Sequence, residues 1–248
     1  APHCMTMIIQ HSGTFCALPL LVRLALRLEV CAQRFLALEP AARRNYAAQI
    51  SLLDDAIGEV TAALANTDQQ SRTLIFFFSD NGGPTASTTS GNGPLRGFKS
   101  QTWEGGIRVP FLVQWKGHLP AGKVDDRPVI QLDILPTALA AAGVEIKPEW
   151  KLDGVNLLPY LSGQKSDAPH EALYWRLGQQ LAIRMGDWKL LFPASGKMEL
   201  YNLAKDISEK HDLAAAEPER VKAMRARLDE LTKDAKPLGG PLPGADKE

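Results

Sequence analysis

The first regular pattern in the chain is a stripe of apolar residues that follows Pro40. Its members are spaced alternately by four and three residues, which places them on one face of an α-helix. Two acidic residues, Asp54 and Asp55, lie off this stripe. We therefore predict an amphipathic helix with one buried face, and we interpret the acidic pair as solvated rather than as a metal site. The stripe comprises Tyr46, Ile50, Leu53, Ile57, Val60 and Leu64.

The next apolar segment has no helical period and ends at a cluster of polar residues and glycines. Residues 73–79 read Thr-Leu-Ile-Phe-Phe-Phe-Ser and are followed by Asp80, Asn81, Gly82 and Gly83. A run that is apolar on both faces predicts a buried strand. Asp80 and Asn81 then follow the strand directly, where α/β proteins commonly bind ligands. Their oxygens suit Ca²⁺ or Mg²⁺, although the same residues are also common in an ordinary turn.

A second strand and a helix continue the pattern in the middle of the chain. Residues 109–115 form another apolar run, and residues 133–143 predict a helix with Pro136 in its first turn and Gly143 at its end. Strands and helices that alternate through short connections are typical of an α/β fold with a mostly parallel sheet and flanking helices. We predict that architecture for this part of the chain.

From about residue 170 the pattern changes to short apolar runs separated by turn residues. Such runs predict a small antiparallel sheet, close to a meander, with a tight hairpin at Gly186-Asp187. A terminal helix is predicted from Pro218, with an apolar face that packs on the sheet. The tail from Pro237 is rich in Gly and Pro and is predicted to be disordered. The four runs are residues 172–177, 181–185, 188–192 and 198–201, and the helix face consists of Val221, Met224, Leu228 and Leu231.

Composition and charge exclude some partners. The chain has 28 basic and 28 acidic residues among 248, so its net charge is zero. A nucleic-acid-binding protein usually carries a basic excess, and we therefore expect no nucleic-acid partner. The apolar stretch at residues 18–28 is too short and too interrupted by Arg to cross a membrane, and it does not resemble a signal peptide. We expect no membrane partner either.

Several segments, taken in order, resemble the sulfatase family of the alkaline-phosphatase-like superfamily, of the arylsulfatase and N-acetylgalactosamine-6-sulfatase type. The signal comes from the order and spacing of many short motifs between about residue 34 and about residue 234. Three motifs are Ser79-Asp80-Asn81-Gly82-Gly83, Gly97-Phe98-Lys99 and Trp103-Glu104-Gly105-Gly106. The others lie at residues 108–110, 131–137, 152–158, 186–190 and 199–203.

The resemblance implies a fold, an activity and three site residues. The fold would be part of an alkaline-phosphatase-like α/β domain, followed by the small antiparallel sheet with its terminal helix. The activity would be hydrolysis of sulfate esters, on a sulfated small molecule or a sulfated carbohydrate. Asp80 and Asn81 match the second pair of calcium ligands of the family, with Mg²⁺ a less favoured ion. Lys99 matches the lysine that contacts the sulfate group.

The nucleophile of the family has no counterpart here. Sulfatases use a formylglycine made from a Cys or Ser in a C-x-P-S-R-type motif, and none of Cys4, Cys16 and Cys31 lies in such a context. The first pair of metal ligands is also absent. The chain therefore resembles the C-terminal portion of a sulfatase, with the formylglycine expected in a missing N-terminal half. We predict that the chain alone binds calcium weakly and hydrolyses nothing.

These patterns divide the chain into four parts. Residues 1–33 form an atypical segment, for which a shifted reading frame is one hypothesis. Residues 34–168 match the C-terminal part of the sulfatase α/β domain, residues 169–236 form the small sheet-and-helix subdomain, and residues 237–248 form the tail. The family suggests an exported, periplasmic or lysosomal protein, but we identify no targeting signal in the sequence itself.

Two alternatives to a sulfatase remain open. A phosphodiesterase or phosphonate hydrolase of the same superfamily would share the metal pair and differ in its nucleophile and pocket. A non-catalytic truncated product would share the fold without the chemistry.

Overall fold

The computed structural model describes residues 30–85, 88–193, 196–233 and 235. The predictions on Cys4, Cys16, residues 18–28 and the tail from Pro237 lie outside these residues. The helices and strands that lie wholly within them are, in chain order, α1 (Ala41–Asn66), β1 (Ile75–Phe78), α2 (Glu104–Ile107), β2 (Phe111–Gln114), α3 (Ile134–Ala141), α4 (Leu158–Leu161), β3 (Leu173–Leu177), β4 (Gln180–Met185), β5 (Trp188–Phe192), β6 (Glu199–Asn202) and α5 (Pro218–Thr232).

The structure divides into two compact units. The first holds the described residues up to Gly91 together with Val109–Asp126 and Gln131–Asp167. The second holds Asn92–Arg108, Arg127–Ile130 and the described residues from Ala168 onward. No helix within the described ranges is both long and apolar enough to cross a membrane.

Helix α1 confirms the amphipathic helix that the apolar spacing predicts. It runs for 26 residues from Ala41 to Asn66. Its stripe is mostly half-buried, and Ile50 is 46% exposed. Asp54 and Asp55 are both exposed, as predicted, and Asp55 Oδ2 lies 3.3 Å from Arg34 Nη1. A weak ion pair of this kind at the surface is consistent with a solvated face.

Strands β1 and β2 pair antiparallel in the first unit, with Ile75 opposite Gln114 and Phe78 opposite Phe111. The mostly parallel pairing expected from the sequence is thus not seen among the described strands, all of whose pairs are antiparallel. An apolar run reports burial on both faces but does not encode strand direction, which explains the difference. The ladder continues beyond the strand because Ser79 N–H donates to the Pro110 carbonyl oxygen.

The core of the first unit forms between this strand pair and helix α3. Phe76 and Phe78 are buried and pack with Ile134 of α3. The ring of Phe111 stacks on Phe78, with centroids 5.7 Å apart. Helix α3 confirms the prediction for residues 133–143, and Gly143 follows it with φ +70°, a left-handed conformation that favours glycine.

The second unit contains the predicted meander. Strands β3, β4, β5 and β6 are neighbours in that order, and all are antiparallel. Gly186, with φ +55°, and Asp187 form the tight turn between β4 and β5. Successive residues of a strand point to opposite faces, so the sheet builds two cores. One contains Trp103, Ala182, Leu191, Tyr201 and Leu203, and the other contains Ile183, Leu190, Leu200, Met224 and Leu228.

Helix α5 covers the second of these cores, as predicted. Met224 and Leu228 are 3% and 1% exposed, and Val221 and Leu231 pack partly buried beside them. The helix begins at Pro218, whose missing N–H costs nothing in a first turn. The apolar stripe of the sequence is therefore the surface that the helix buries on the sheet.

Candidate active site

The two predicted metal ligands lie together on the turn that follows β1. Asn81 Nδ2 donates to Asp80 Oδ1 at 2.7 Å. The Ser79 hydroxyl donates to the Asn81 carbonyl oxygen at 2.8 Å, which closes the turn under the two side chains. Asp80 is exposed and Asn81 is half-buried. The carboxylate and the amide are therefore adjacent and within reach of a ligand.

Gln131 holds this turn in place from the start of the segment that leads to α3. Its Nε2 donates to the carbonyl oxygens of Ser79 and Asp80, at 3.1 and 3.4 Å. The sequence places Gln131 in a sulfatase-like motif but assigns it no role. The structure shows that its side chain supports the backbone of the turn that carries Asp80.

The side chains on this turn are of the type that divalent cations bind. Asp80 and Asn81 supply hard oxygen atoms, which are the ligands that Ca²⁺ prefers, but Ca²⁺ binds six to eight of them. Among the described residues no group of three or more His, Cys, Asp or Glu side chains is arranged to hold a metal. The donor set therefore fits two ligands of a calcium shell and leaves the others to be supplied from elsewhere.

Lys99 lies in the second unit on a tightly folded loop, residues 96–106. The loop is closed by the Gly105 N–H, which donates to the Arg96 carbonyl oxygen at 2.6 Å. Inside it, the Gln101 side-chain oxygen accepts the Phe98 N–H at 3.1 Å. Gly97 has φ +86°, which a side chain would disfavour. The loop thus has a defined backbone conformation around Lys99.

The glycines of the Trp103-Glu104-Gly105-Gly106 motif are required by close packing within this loop. A Cβ atom on Gly105 would overlap the carbonyl oxygens of Gly97 and Arg96. A Cβ atom on Gly106 would overlap those of Gln101 and Phe98. Backbone atoms cannot move aside as a flexible side chain can, so larger residues would open the loop.

The Lys99 side chain is half-buried. Within the part of the chain that the structure describes, its ammonium has no hydrogen bond or ion pair. A lysine that is not neutralised by a protein carboxylate can attract an anion. Lys99 belongs to the second unit, whereas Asp80 and Asn81 belong to the first.

A cluster of buried charges supports the Lys99 loop, and the sequence did not reveal it as a unit. The Lys189 ammonium is fully buried and lies 2.8 Å from a carboxylate oxygen of Glu104 and 2.8 Å from one of Glu209. Arg108 and Arg184 lie 3.7 and 4.0 Å from the second oxygen of Glu104. Burial raises the pKa of Glu209, against the opposing effect of Lys189. A charged residue in an otherwise apolar strand, such as Lys189 in β5, was the available signal for buried acidic partners.

The motif at residues 152–158 has a structural explanation. Asp133 is fully buried, and its Oδ1 accepts the Val155 N–H at 2.8 Å. A side chain on Gly154 would overlap the Leu132 carbonyl oxygen. The hydroxyl of Thr137 accepts the Leu157 N–H at 2.9 Å. These contacts dock the segment on the start of α3.

Trp103 is part of the core rather than an exposed platform for a sugar. It is 7% exposed, and its ring packs edge-on against Tyr201 with centroids 5.9 Å apart. The guanidinium of Arg96 lies 3.5 Å from the centre of the indole ring. This cation–π contact ties the start of the Lys99 loop to its end.

Family comparisons agree with the motifs. The family model described as "Sulfatase" matches residues 21–144, and the model described as "N-sulphoglucosamine sulphohydrolase, C-terminal" matches residues 98–234. The chain is 31% identical to the uncharacterized sulfatase YdeN of Escherichia coli (strain K12), over 78% of this chain and 41% of that protein. It is 34% identical to the N-acetylgalactosamine-6-sulfatase of Mus musculus, over 59% of this chain and 29% of that protein.

Solved structures show the same likeness. The crystal structure of Ps i-CgsB in complex with k-i-k-neocarrahexaose matches with a TM-score of 0.77 and 33% identity, over 84% of this chain and 47% of that chain. The phosphonate monoester hydrolase of Agrobacterium radiobacter matches with a TM-score of 0.59 and 25% identity, over 78% of this chain and 41% of that chain. The chain thus spans less than half the length of these relatives. The family models, the relatives and the fold agree, and the chain belongs to the sulfatase family with its alkaline-phosphatase-like fold.

Proposed function

We propose that this chain takes part in the hydrolysis of sulfate esters and that Lys99 contacts the sulfate group. The observation that carries the proposal is the Lys99 loop, which lies within the family match and presents an ammonium that the described residues leave without a partner. A sulfate ester is anionic, and cleavage develops further charge on the leaving oxygen. A fixed ammonium stabilises that charge when it is held in advance at the site.

Asp80 and Asn81 are proposed to hold a calcium ion. Their adjacent oxygens on the turn after β1 support this assignment, and Mg²⁺ is less suited because it demands a stricter octahedral shell. When bound, the ion would supply positive charge that polarises the sulfate oxygens. The contribution of this chain is to keep the carboxylate and amide side by side through Ser79 and Gln131.

The proposed substrate class is a sulfated carbohydrate. Relatives of the chain include an N-acetylgalactosamine-6-sulfatase and a protein crystallised with neocarrahexaose. A small aryl sulfate carries the same sulfate group and remains the alternative, because the described residues do not identify a sugar site.

The chain by itself is proposed to be inactive, because its sequence contains no motif for a formylglycine nucleophile. We expect no release of 4-nitrophenol from 4-nitrophenyl sulfate by the purified 248-residue chain, with or without Ca²⁺. A commercial arylsulfatase serves as the positive control. Turnover by the chain above the rate of a Lys99→Ala variant would contradict this proposal.

The sulfate contact can be tested without turnover, by the rate at which Lys99 is acetylated. A sulfate ester that binds the Lys99 ammonium should compete with its acetylation. At a ligand concentration of about four times Kd, the acetylation rate of Lys99 should fall about five-fold. Mass spectrometry measures the rate, and Lys222, exposed on α5, is the internal control. Equal rates with 4-nitrophenyl sulfate and with neutral 4-nitrophenyl acetamide would contradict a sulfate contact at Lys99.

The likeness to a phosphonate monoester hydrolase favours one alternative function. A phosphonate monoester has the same single negative charge as a sulfate ester but a different group around the central atom. The same acetylation measurement with 4-nitrophenyl phenylphosphonate separates the two. Stronger protection of Lys99 by the phosphonate than by the sulfate ester would replace the proposed sulfatase function with this alternative.

A further inference from the structure

Both ends of the Lys99 loop are anchored to one residue, Glu209. At the start of the loop, the Arg96 guanidinium donates to the Glu209 carbonyl oxygen at 2.9 Å. At the end of the loop, the Glu104 N–H donates to Glu209 Oε2 at 2.7 Å. The neighbouring Ser208 hydroxyl adds a bond to the Pro94 carbonyl oxygen at 2.8 Å. The backbone and the side chain of one residue thus fix where the loop begins and ends.

Glu209 combines a buried charge with an unusual backbone conformation, and a residue that only fills space requires neither. It is fully buried, and its φ of +51° is uncommon for a residue other than glycine. A buried carboxylate is costly unless a cation and hydrogen bonds satisfy it. Here Lys189 lies 2.8 Å from Oε1, and the Glu104 N–H satisfies Oε2. Strained backbone and a buried charge at the same residue indicate a specific structural task.

The task concerns Lys99, because no described residue holds its ammonium directly. A lysine side chain has several rotatable bonds and loses much conformational entropy when it is fixed. Its position therefore depends on the backbone of the loop, which the glycine contacts and the two Glu209 anchors define. A side chain that contacts a reacting group loses much of its effect on the reaction rate when it is displaced by about 1 Å.

We infer that Glu209 is the positioning residue for Lys99: it clamps the start and the end of the loop so that the ammonium is held ready for an anionic ester. The inference rests on the proposed function, since it is that function which gives Lys99 a sulfate to contact. Glu209 itself touches no substrate and acts only through Arg96, Glu104 and Lys189.

Three variants and one control test this role. Glu209→Ala removes the carboxylate, whereas Glu209→Gln keeps an oxygen that accepts the Glu104 N–H. Arg96→Gln cuts the anchor at the start of the loop, at a side chain that is 44% exposed. The control is Asp212→Asn, since Asp212 accepts the N–H groups of Leu200 and Ala214 in the same segment without touching the loop.

Two measurements on the full chain distinguish positioning from general stability. Hydrogen exchange at the Glu104 and Gly105 amides should accelerate about ten-fold or more in Glu209→Ala. Protection of Lys99 from acetylation by 4-nitrophenyl sulfate should be lost at a concentration that protects the wild type. Glu209→Gln should restore both in part, Arg96→Gln should lose protection, and Asp212→Asn should keep wild-type values for both.

Several results would overturn the inference. One is a folded Glu209→Ala variant in which both the hydrogen exchange of the Glu104 and Gly105 amides and the protection of Lys99 are unchanged. Another is an equal loss of protection in Asp212→Asn. If circular dichroism shows that Glu209→Ala is unfolded, unchanged protection in Arg96→Gln overturns the inference instead. Absence of Lys99 protection in the wild type counts against the proposed function. Faster hydrogen exchange of the loop amides in Glu209→Ala would in that case still support the anchoring of the loop by Glu209.

Discussion

Acidic residues in this chain take different roles according to what surrounds them. Asp80 is exposed and adjacent to an amide, which leaves its carboxylate available for a cation. Asp133 is buried and accepts a backbone N–H, which makes it a docking point for the chain. Glu104 is buried against a lysine. Residue type alone therefore did not separate the proposed ligand Asp80 from the structural carboxylates, whereas burial and hydrogen-bond partners distinguish their surroundings.

Asp206 provides a pH-dependent test of such a structural carboxylate. Burial opposes the shift, but N–H bonds from His211 and Lys210 lower the pKa of Asp206 below its usual 3.8. A lowered pKa in the folded state means stability that is present above pH 3.8 and is lost as pH falls through the folded pKa. Asp206→Asn should therefore cost about 1 kcal/mol at neutral pH.

Urea denaturation at two pH values measures this effect. The difference between the wild type and Asp206→Asn should shrink towards zero at about pH 2, where both side chains are neutral. Asp54→Asn, at an exposed position in the middle of α1, is the control and should show little difference at either pH. A cost for Asp206→Asn that is independent of pH would show that the carboxylate charge is not what stabilises the segment.

At the scale of single elements, the Lys99 loop should be sensitive to the smallest added side chain. Gly105→Ala places a methyl group against backbone carbonyl oxygens of the same loop. We expect a loss of about 1–3 kcal/mol, because the clash can be relieved only by moving the backbone. Urea denaturation gives the free energy, and hydrogen exchange at the loop amides shows whether the loop has opened.

Gly58→Ala is the matched control for that substitution. Gly58 lies within α1, and apart from its chain neighbours and the backbone of the helix no atom is within 4 Å of the position that its Cβ would take. Alanine in the interior of a helix is more favourable than glycine by about 0.5–1 kcal/mol. The same chemical change should therefore stabilise α1 and destabilise the loop. Equal effects at the two positions would contradict the packing explanation.

Periodic elements were predictable from sequence and irregular contacts were not. The stripe of α1, the four strands of the meander and the apolar face of α5 follow from spacing, because burial selects residues at a fixed period. The antiparallel pairing of β1 with β2 did not follow from the sequence, since the relative direction of two strands depends on the path of the segment that connects them. The role of Glu209 was also not predictable, because this residue lies in a polar stretch and its partners Arg96 and Glu104 are more than 100 residues away in the sequence.

At the scale of the whole molecule, the proposed site residues are divided between two units. Asp80 and Asn81 belong to one unit, whereas Lys99 and Glu209 belong to the other. Each half of the proposal can thus fail or succeed independently of the other. The net charge of zero does not reveal this division, since it averages the proposed cation site and the proposed anion site over the whole chain.

Calcium binding is the prediction that concerns the stability of the molecule. A ligand that binds only the folded state stabilises it by RT ln(1 + [L]/Kd), so Ca²⁺ at about four times Kd should contribute about 1 kcal/mol. In a chain of this size that raises Tm by about 2–4 °C. Asp80→Asn should abolish the increase, whereas Asp54→Asn, on the solvated face of α1, should not. Differential scanning calorimetry with Ca²⁺, Mg²⁺ and EDTA measures it. An increase in Tm that persists in Asp80→Asn would place the calcium elsewhere, because the turn after β1 would then contribute nothing to binding.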